Sequence, residues 1–177
     1  MSFSEESEFV IHNWSTIEKL LSSISVARTE LNNLALNLEN ELANRDWWTD
    51  DLVFNSKGLY ISNKKWQVDA FYRVWIGVEG FTIEGLFGNN YPAQCYLWVG
   101  GSENKDQVIS DLREIVTHKS HLEKYCDSKS SSYVLKKTLP KLTGIADARL
   151  STLIEDDVAN FIEDTYIAIK DYKLPTV

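Results

Sequence analysis

Between Asn13 and Asn44 the apolar residues return at helical spacing. Ile17, Ile24, Leu31 and Leu38 stand seven apart, Leu20, Ala27 and Leu34 fill the positions between them, and Leu21, Ala35 and Leu42 widen the stripe. That period lays one apolar face along a single long helix. Neither Pro nor Gly interrupts it; Ser22, Ser23 and Ser25 weaken it locally and mark where a break would fall. Three heptads also suffice for a coiled-coil seam. The plainer expectation is a helix that lies on a sheet or on another helix of the same chain.

After Asp46-Trp47-Trp48-Thr49-Asp50-Asp51 the period changes to two. Residues 52–55 and 59–63 alternate around Ser56-Lys57-Gly58, which predicts a hairpin with Gly58 at the positive φ. Residues 71–79 and 94–99 predict two further strands, joined by a Gly/Asn/Pro-rich connection over 85–92. The order predicts a four-stranded antiparallel meander. A second helix is predicted over 106–125, with Val108, Leu112, Ile115, Val116 and Leu122 near one face. The polar run 127–132 reads as a mobile linker. A fifth strand over 133–139, of open pairing direction, stops at Pro140. The last helix starts near Ser151, where Thr152 and Glu155 have capping-box spacing. It buries Ile154, Val158, Phe161, Ile162, Thr165 and Ile169, and it ends before Pro175. The prediction is one α+β domain over 1–177: a long N-terminal helix, a four-stranded antiparallel meander, a helix, a strand and a C-terminal helix. Residues 1–46 pack on that domain or extend from it.

Composition narrows the picture. Hydrophobic residues make up 44% of the 177, enough for a packed core and against disorder. No apolar run approaches the ~18 residues of a membrane span. The first residues are acidic, with no apolar segment after them, which argues against a secretory signal and makes the cytoplasm the expected compartment. Cys95 and Cys126, on a strand and at a helix end, read as free thiols. The net charge of −8 gathers at the ends: residues 1–50 hold nine Asp/Glu against three Lys/Arg. The basic pairs Lys64-Lys65 and Lys136-Lys137 are too few for a broad nucleic-acid footprint.

The glycine-rich stretch Trp75-Ile-Gly-Val-Glu-Gly-Phe-Thr-Ile-Glu-Gly-Leu-Phe-Gly88 invites a phosphate-loop reading, and its spacing refuses it. No Gly there precedes Lys-Ser/Thr, and the glycines at 77, 80, 85 and 88 miss the dinucleotide pattern. It reads as a strand end followed by a flexible turn. Strand alternation is more informative. Tyr72, Val74, Ile76 and Val78 share one face with Cys95, Leu97 and Val99. Arg73, Trp75 and Glu79 share the other with Gln94, Tyr96 and Trp98. Arg73, Trp75, Glu79, Tyr96 and Trp98 thus form an aromatic face with an embedded charge pair, Trp75 and Trp98 as its walls. Cover by the long helix is the expected fate of that face; an open ligand platform is the rival. Trp47 and Trp48 cannot both point one way. One is expected to anchor the helix to the sheet and the other to lie at a rim, where Trp dominates binding. His118, His121 and Cys126 lack a converging third and fourth ligand, so neither a metal nor a cofactor is expected.

No triad order, HExxH or EF-hand loop is present either. The function expected is therefore that of a non-enzymatic protein-binding module, of adaptor, inhibitor or immunity-like kind. Its partner is another protein or a second copy, met through Ile17, Ile24, Leu31, Leu38, Trp47 and Trp48. The rivals are a ligand-binding or enzymatic domain that uses the aromatic face, and an accessory factor of a nucleic-acid enzyme.

Overall fold

The structure, a computed structural model, describes residues 4–88, 91–142 and 152–175. It is mixed helix and sheet, α+β as predicted. Helix α1 (Glu5–His12) starts at Ser4, whose hydroxyl accepts from the Ser7 amide at 3.3 Å. Helix α2 (Trp14–Ala43) follows after Asn13. The only junction in this region falls there, where Asn13 Nδ2 donates to the Phe9 carbonyl at 2.8 Å. The serines do not break α2. Ser23 Oγ donates to the Lys19 carbonyl at 2.9 Å, so its hydroxyl is satisfied within the helix.

Strands β1 (Leu52–Asn55) and β2 (Tyr60–Asn63) form the predicted hairpin, with one correction: Leu59, not Gly58, takes the positive φ. A 3-10 turn at Lys64–Trp66 then drops Trp66 fully into the core, where its Nε1 donates to the Tyr172 carbonyl at 3.2 Å. The predicted strand 71–79 is split. Strand β3 (Gln67–Val68) pairs with β4 (Phe71–Tyr72) in a two-stranded ribbon, Arg73 bends, and β5 (Val74–Glu79) enters the main sheet. The glycine-rich turn also has more order than expected. Gly80 takes a φ of +66, and Thr82 Oγ1 then caps the short helix α3 (Ile83–Phe87) by accepting from Gly85 N at 3.1 Å.

Strands β6 (Gln94–Val99) and β7 (Tyr133–Thr138) complete a five-stranded antiparallel sheet of order β1-β2-β5-β6-β7. The meander is thus as read, and the fifth strand pairs antiparallel on the far side of β6, with a register shift between Leu97 and Trp98. The second helix is not continuous. Helix α4 (Lys105–Thr117) stops, Lys119 turns extended, and α5 (Ser120–Glu123) begins. Val108, Leu112 and Val116 are buried. An unbroken helix would next turn Lys119 and Ser120 inward by helical spacing; the break brings buried Leu122 in instead.

A wide π-type segment, Leu153–Ala159, leads into α6 (Asn160–Ile169). Val158, Phe161, Ile162, Thr165 and Ile169 are buried as predicted. The side chains of Leu34, Ala35, Ile154 and Glu155, and with Glu155 the expected capping box, lie outside the described residues. Helices α4 and α6 pack on the sheet, against the face that carries Ile61, Val74, Ile76, Val78, Cys95 and Leu97. Helix α2 lies instead against the π-type segment and α3. Leu31, Leu38 and Leu42 are its buried contacts, and Arg45 just beyond it pairs with Glu163 of α6 at 3.1 Å.

Candidate interaction surface

The apolar stripe of α2 meets two environments. Leu31 and Leu38 are 6% and 2% exposed. Ile24, from the same heptad position, is 42% exposed, Leu20 and Leu21 are 59% each, and Ile17 is half-buried. Trp14, Phe9, Val10 and Ile11 continue the exposed apolar surface to the start of α1. The helix therefore docks from Leu31 onward, and residues 5–28 leave the domain as an arm. The one long-range ion pair of the arm among the described residues joins Arg28 to Glu84 at 2.8 Å, with both side chains largely in solvent. Monomeric surfaces scatter single apolar residues; a continuous exposed stripe is uncommon on them.

The aromatic sheet face is not covered by α2, contrary to expectation. It is nevertheless closed in another way. Trp75 lies opposite Trp98 in the ladder, and their rings stack at 4.1 Å between centroids with 10° between planes. Tyr60 of β2 stacks on Trp75 from the other neighbouring strand at 5.2 Å and 24°. Trp75 is thus sandwiched, and its Nε1 is buried without a partner. A planar ligand between two rings needs them about 7 Å apart, twice a carbon contact distance. The expected walls, Trp75 and Trp98, are packed on each other instead.

The charge pair also dissolves. Six residues of extended chain separate Arg73 from Glu79 by about 20 Å, so they never meet. Arg73 turns to the sheet end, where Nη1 donates to the Gly100 carbonyl at 3.4 Å and Nη2 lies 3.8 Å from Glu103. Gly101 takes a φ of +78, which strains any residue with a Cβ, and a Cβ there would also displace the Arg73 guanidinium. Glu79 finds partners that the sequence reading missed. Tyr133 Oη donates to both its oxygens, at 3.0 and 3.2 Å, and Gln94 Nε2 donates to Oε1. Burial, and then this bond to Glu79, pushes the Tyr133 hydroxyl up to about 12. Tyr96 beside it is raised by burial and then by the Glu79 charge. Gln94 was visible in the alternation. Tyr133 was not, because its strand carried no signal of pairing direction.

Trp47 and Trp48 are both half-buried. Trp47 packs on Tyr166 at 5.2 Å and on Trp48 at 5.8 Å, so it anchors the end of α2 to helix α6 rather than to the sheet. The chemistry-bearing groups elsewhere do not converge. Burial raises the Cys95 thiol to about 12 and keeps it protonated. His118 closes α4, while His121 lies on α5, 3.9 Å from Asp164. No group of three or more His, Cys, Asp or Glu stands within reach of one metal ion among the described residues. Lys136 lies over the Tyr133 ring, whereas Lys137 binds Asp157 at 2.6 Å. Lys64 donates to the Asp50 carbonyl at 2.7 Å and follows β2, which β5 and β6 separate from the edge strand β7 that carries Lys136 and Lys137. The run 127–132 is tied down: Arg113 Nη2 donates to the carbonyls of Asp127, Ser130 and Tyr133. No described helix is long and apolar enough to cross a membrane.

The chain matches no protein-family model, no curated protein and no solved structure. The reading of its function rests on the geometry alone.

Proposed function

We propose that this protein is a non-enzymatic protein-binding module that takes its partner on the N-terminal arm. The observation that carries the reading is the exposed stripe Phe9, Val10, Trp14, Leu20, Leu21 and Ile24 on a helix whose other end is anchored in the domain. An amphipathic helix of this form binds by laying its apolar face into a groove or along another helix. The other surfaces support it less: the aromatic face has its rings packed on one another, and the thiols and histidines stand apart.

The test compares the wild type with Leu20→Glu/Leu21→Glu as bait at modest salt. Both sites are exposed, so the fold should survive, as circular dichroism would verify. A defined protein partner, or self-association, held by the wild type and lost from the variant is the expected result. Equal recovery with both baits, or a monomer that holds nothing, removes the reading.

A further inference from the structure

We propose that the cleft beside Arg73 binds a small aliphatic carboxylate, held by the Arg73 guanidinium at the end of the sheet. The site lies apart from the arm and does not rest on the protein-binding reading. Three observations lead to it.

The first is the state of the guanidinium. The Arg73 side chain is only 14% exposed. A guanidinium presents a fork of N–H donors and no acceptor, and buried donors are nearly always matched. Arg45 bonds Glu41 and Glu163 at 2.9 and 3.1 Å, and Arg113 reaches three carbonyls. Arg73 makes one hydrogen bond among the described residues, to the Gly100 carbonyl at 3.4 Å, longer than the usual ~3 Å. The Glu103 carboxylate lies 3.8 Å away, an ion pair without a hydrogen bond. A charge is thus sunk in the protein with most of its fork unmatched by protein acceptors.

The second is space. The guanidinium borders a small cleft, and the two residues it reaches, Gly100 and Glu103, line the same cleft. Its seat exists because Gly101 carries no Cβ. Asn104 also lines the cleft, and its side chain makes no cap bond to α4, so its amide is available as a further donor.

The third is what the walls select. Val68, Val99, Val108 and Leu174 line the rest of the cleft. Val99 and Val108 belong to the core, so this apolar wall is fixed. A guanidinium fork suits a carboxylate or a phosphate, each through paired bonds. A phosphate dianion would place two further negative charges beside Glu103 against one cation. A monocarboxylate adds one, and its alkyl group lies on the valines, as in a site with apolar walls and one polar anchor. Glu103 then acts as a competitor carried by the chain itself. It stands half exposed at the rim and reaches toward the donors that the ligand takes.

The experiment follows backbone amide shifts by NMR while the full chain is titrated with isovalerate at constant ionic strength. Saturable shifts centred on Gly100, Gly101 and Glu103 are expected, with a Kd in the millimolar range for a ligand of this size. Isovaleramide, of the same shape without the charge, should bind about tenfold more weakly or less, and so should isovalerate to Arg73→Gln. Arg73→Lys, which keeps the charge and loses the fork, should fall between Arg73→Gln and the wild type. Glu103→Gln should tighten binding by up to about fivefold, the worth of a half-exposed ion pair. Leu20→Glu/Leu21→Glu should bind isovalerate like the wild type, which separates this site from the arm. A tripeptide with a free C-terminal valine that binds more tightly than isovalerate, while its amide does not bind, would assign the carboxylate to a peptide end and keep the site. Should Arg73→Gln not fold, Arg73→Lys and the surface change Glu103→Gln decide in its place. Equal shifts with acid and amide, shifts that never saturate, binding unchanged by these substitutions, or phosphate bound more tightly than isovalerate overturns the inference.

Discussion

The two ends of α2 carry one sequence pattern and have opposite fates. Leu38 and Leu42 are sealed in the core, while Leu20 and Leu21 stand in water on the same helix. Propensity does not separate them, since all four are leucines in uninterrupted helix. What separates them is the rest of the chain. The π-type segment and α3 pack on the helix, α3 reaching it as far back as Arg28 through Glu84, and Arg45 fastens its C-terminal end to Glu163 of α6. A heptad therefore announces that a face will be covered, not by what. The part from Leu31 onward is covered within the chain; the arm is exposed, and it is there that the proposed partner would bind.

The largest effect expected is on that contrast. Leu42→Ala should destabilise the fold by about 2–5 kcal/mol, through lost transfer energy and a residual cavity. Leu21→Ala should stay within about 0.5 kcal/mol for the isolated monomer. Urea unfolding at low protein concentration measures both, and similar losses at the two sites would erase the distinction between docked helix and arm.

A smaller effect sharpens the view of the loop that the sequence pattern left as mobile. Arg113→Ala removes a cation that three carbonyls share and should cost about 1–3 kcal/mol. Hydrogen exchange should rise over residues 127–132, and an unchanged exchange pattern there would show that the loop holds itself through Asp127 and Ser130.

The sheet face predicts a pH response. Tyr133 has its folded pKa raised to about 12, above an unfolded value of about 10. Between these values the unfolded chain releases the proton first and the folded chain retains it. The contribution is therefore complete below pH ~10 and declines as pH rises toward 12. Glu79→Gln should lower the Tyr133 titration midpoint in a tyrosinate absorbance titration; an unmoved midpoint would leave burial as the whole cause. The smallest effect concerns the exposed Arg28–Glu84 pair. Arg28→Ala should change monomer stability by less than about 1 kcal/mol while it weakens arm-dependent association. A larger loss in the monomer would make the pair an anchor of the helix rather than a border of the arm.

The order of the main elements, the meander, the aliphatic faces of β5 and β6 and the core face of α6 were legible in the sequence. Periods of two and of 3.6 are local properties, and the hydrophobic effect imposes them residue by residue. The stripe that became the arm was legible for the same reason. The break at Lys119, the split at Arg73 and the cap at Thr82 were not. The first two depend on what another segment offers: room for Leu122, and the Trp66 carbonyl and Gly100 amide that bond the Arg73 backbone. The Thr82 cap is local, three residues from Gly85, but it lay within a glycine-rich run that reads as a turn. The candidate site divided along the same line. Its residue types and faces came from alternation. Whether Trp75 and Trp98 would flank a ligand or close on each other depended on cross-strand register, and the partners of Glu79 depended on which edge β7 joined. Register and edge choice arise from contacts far apart in the chain, so only the folded chain decided them.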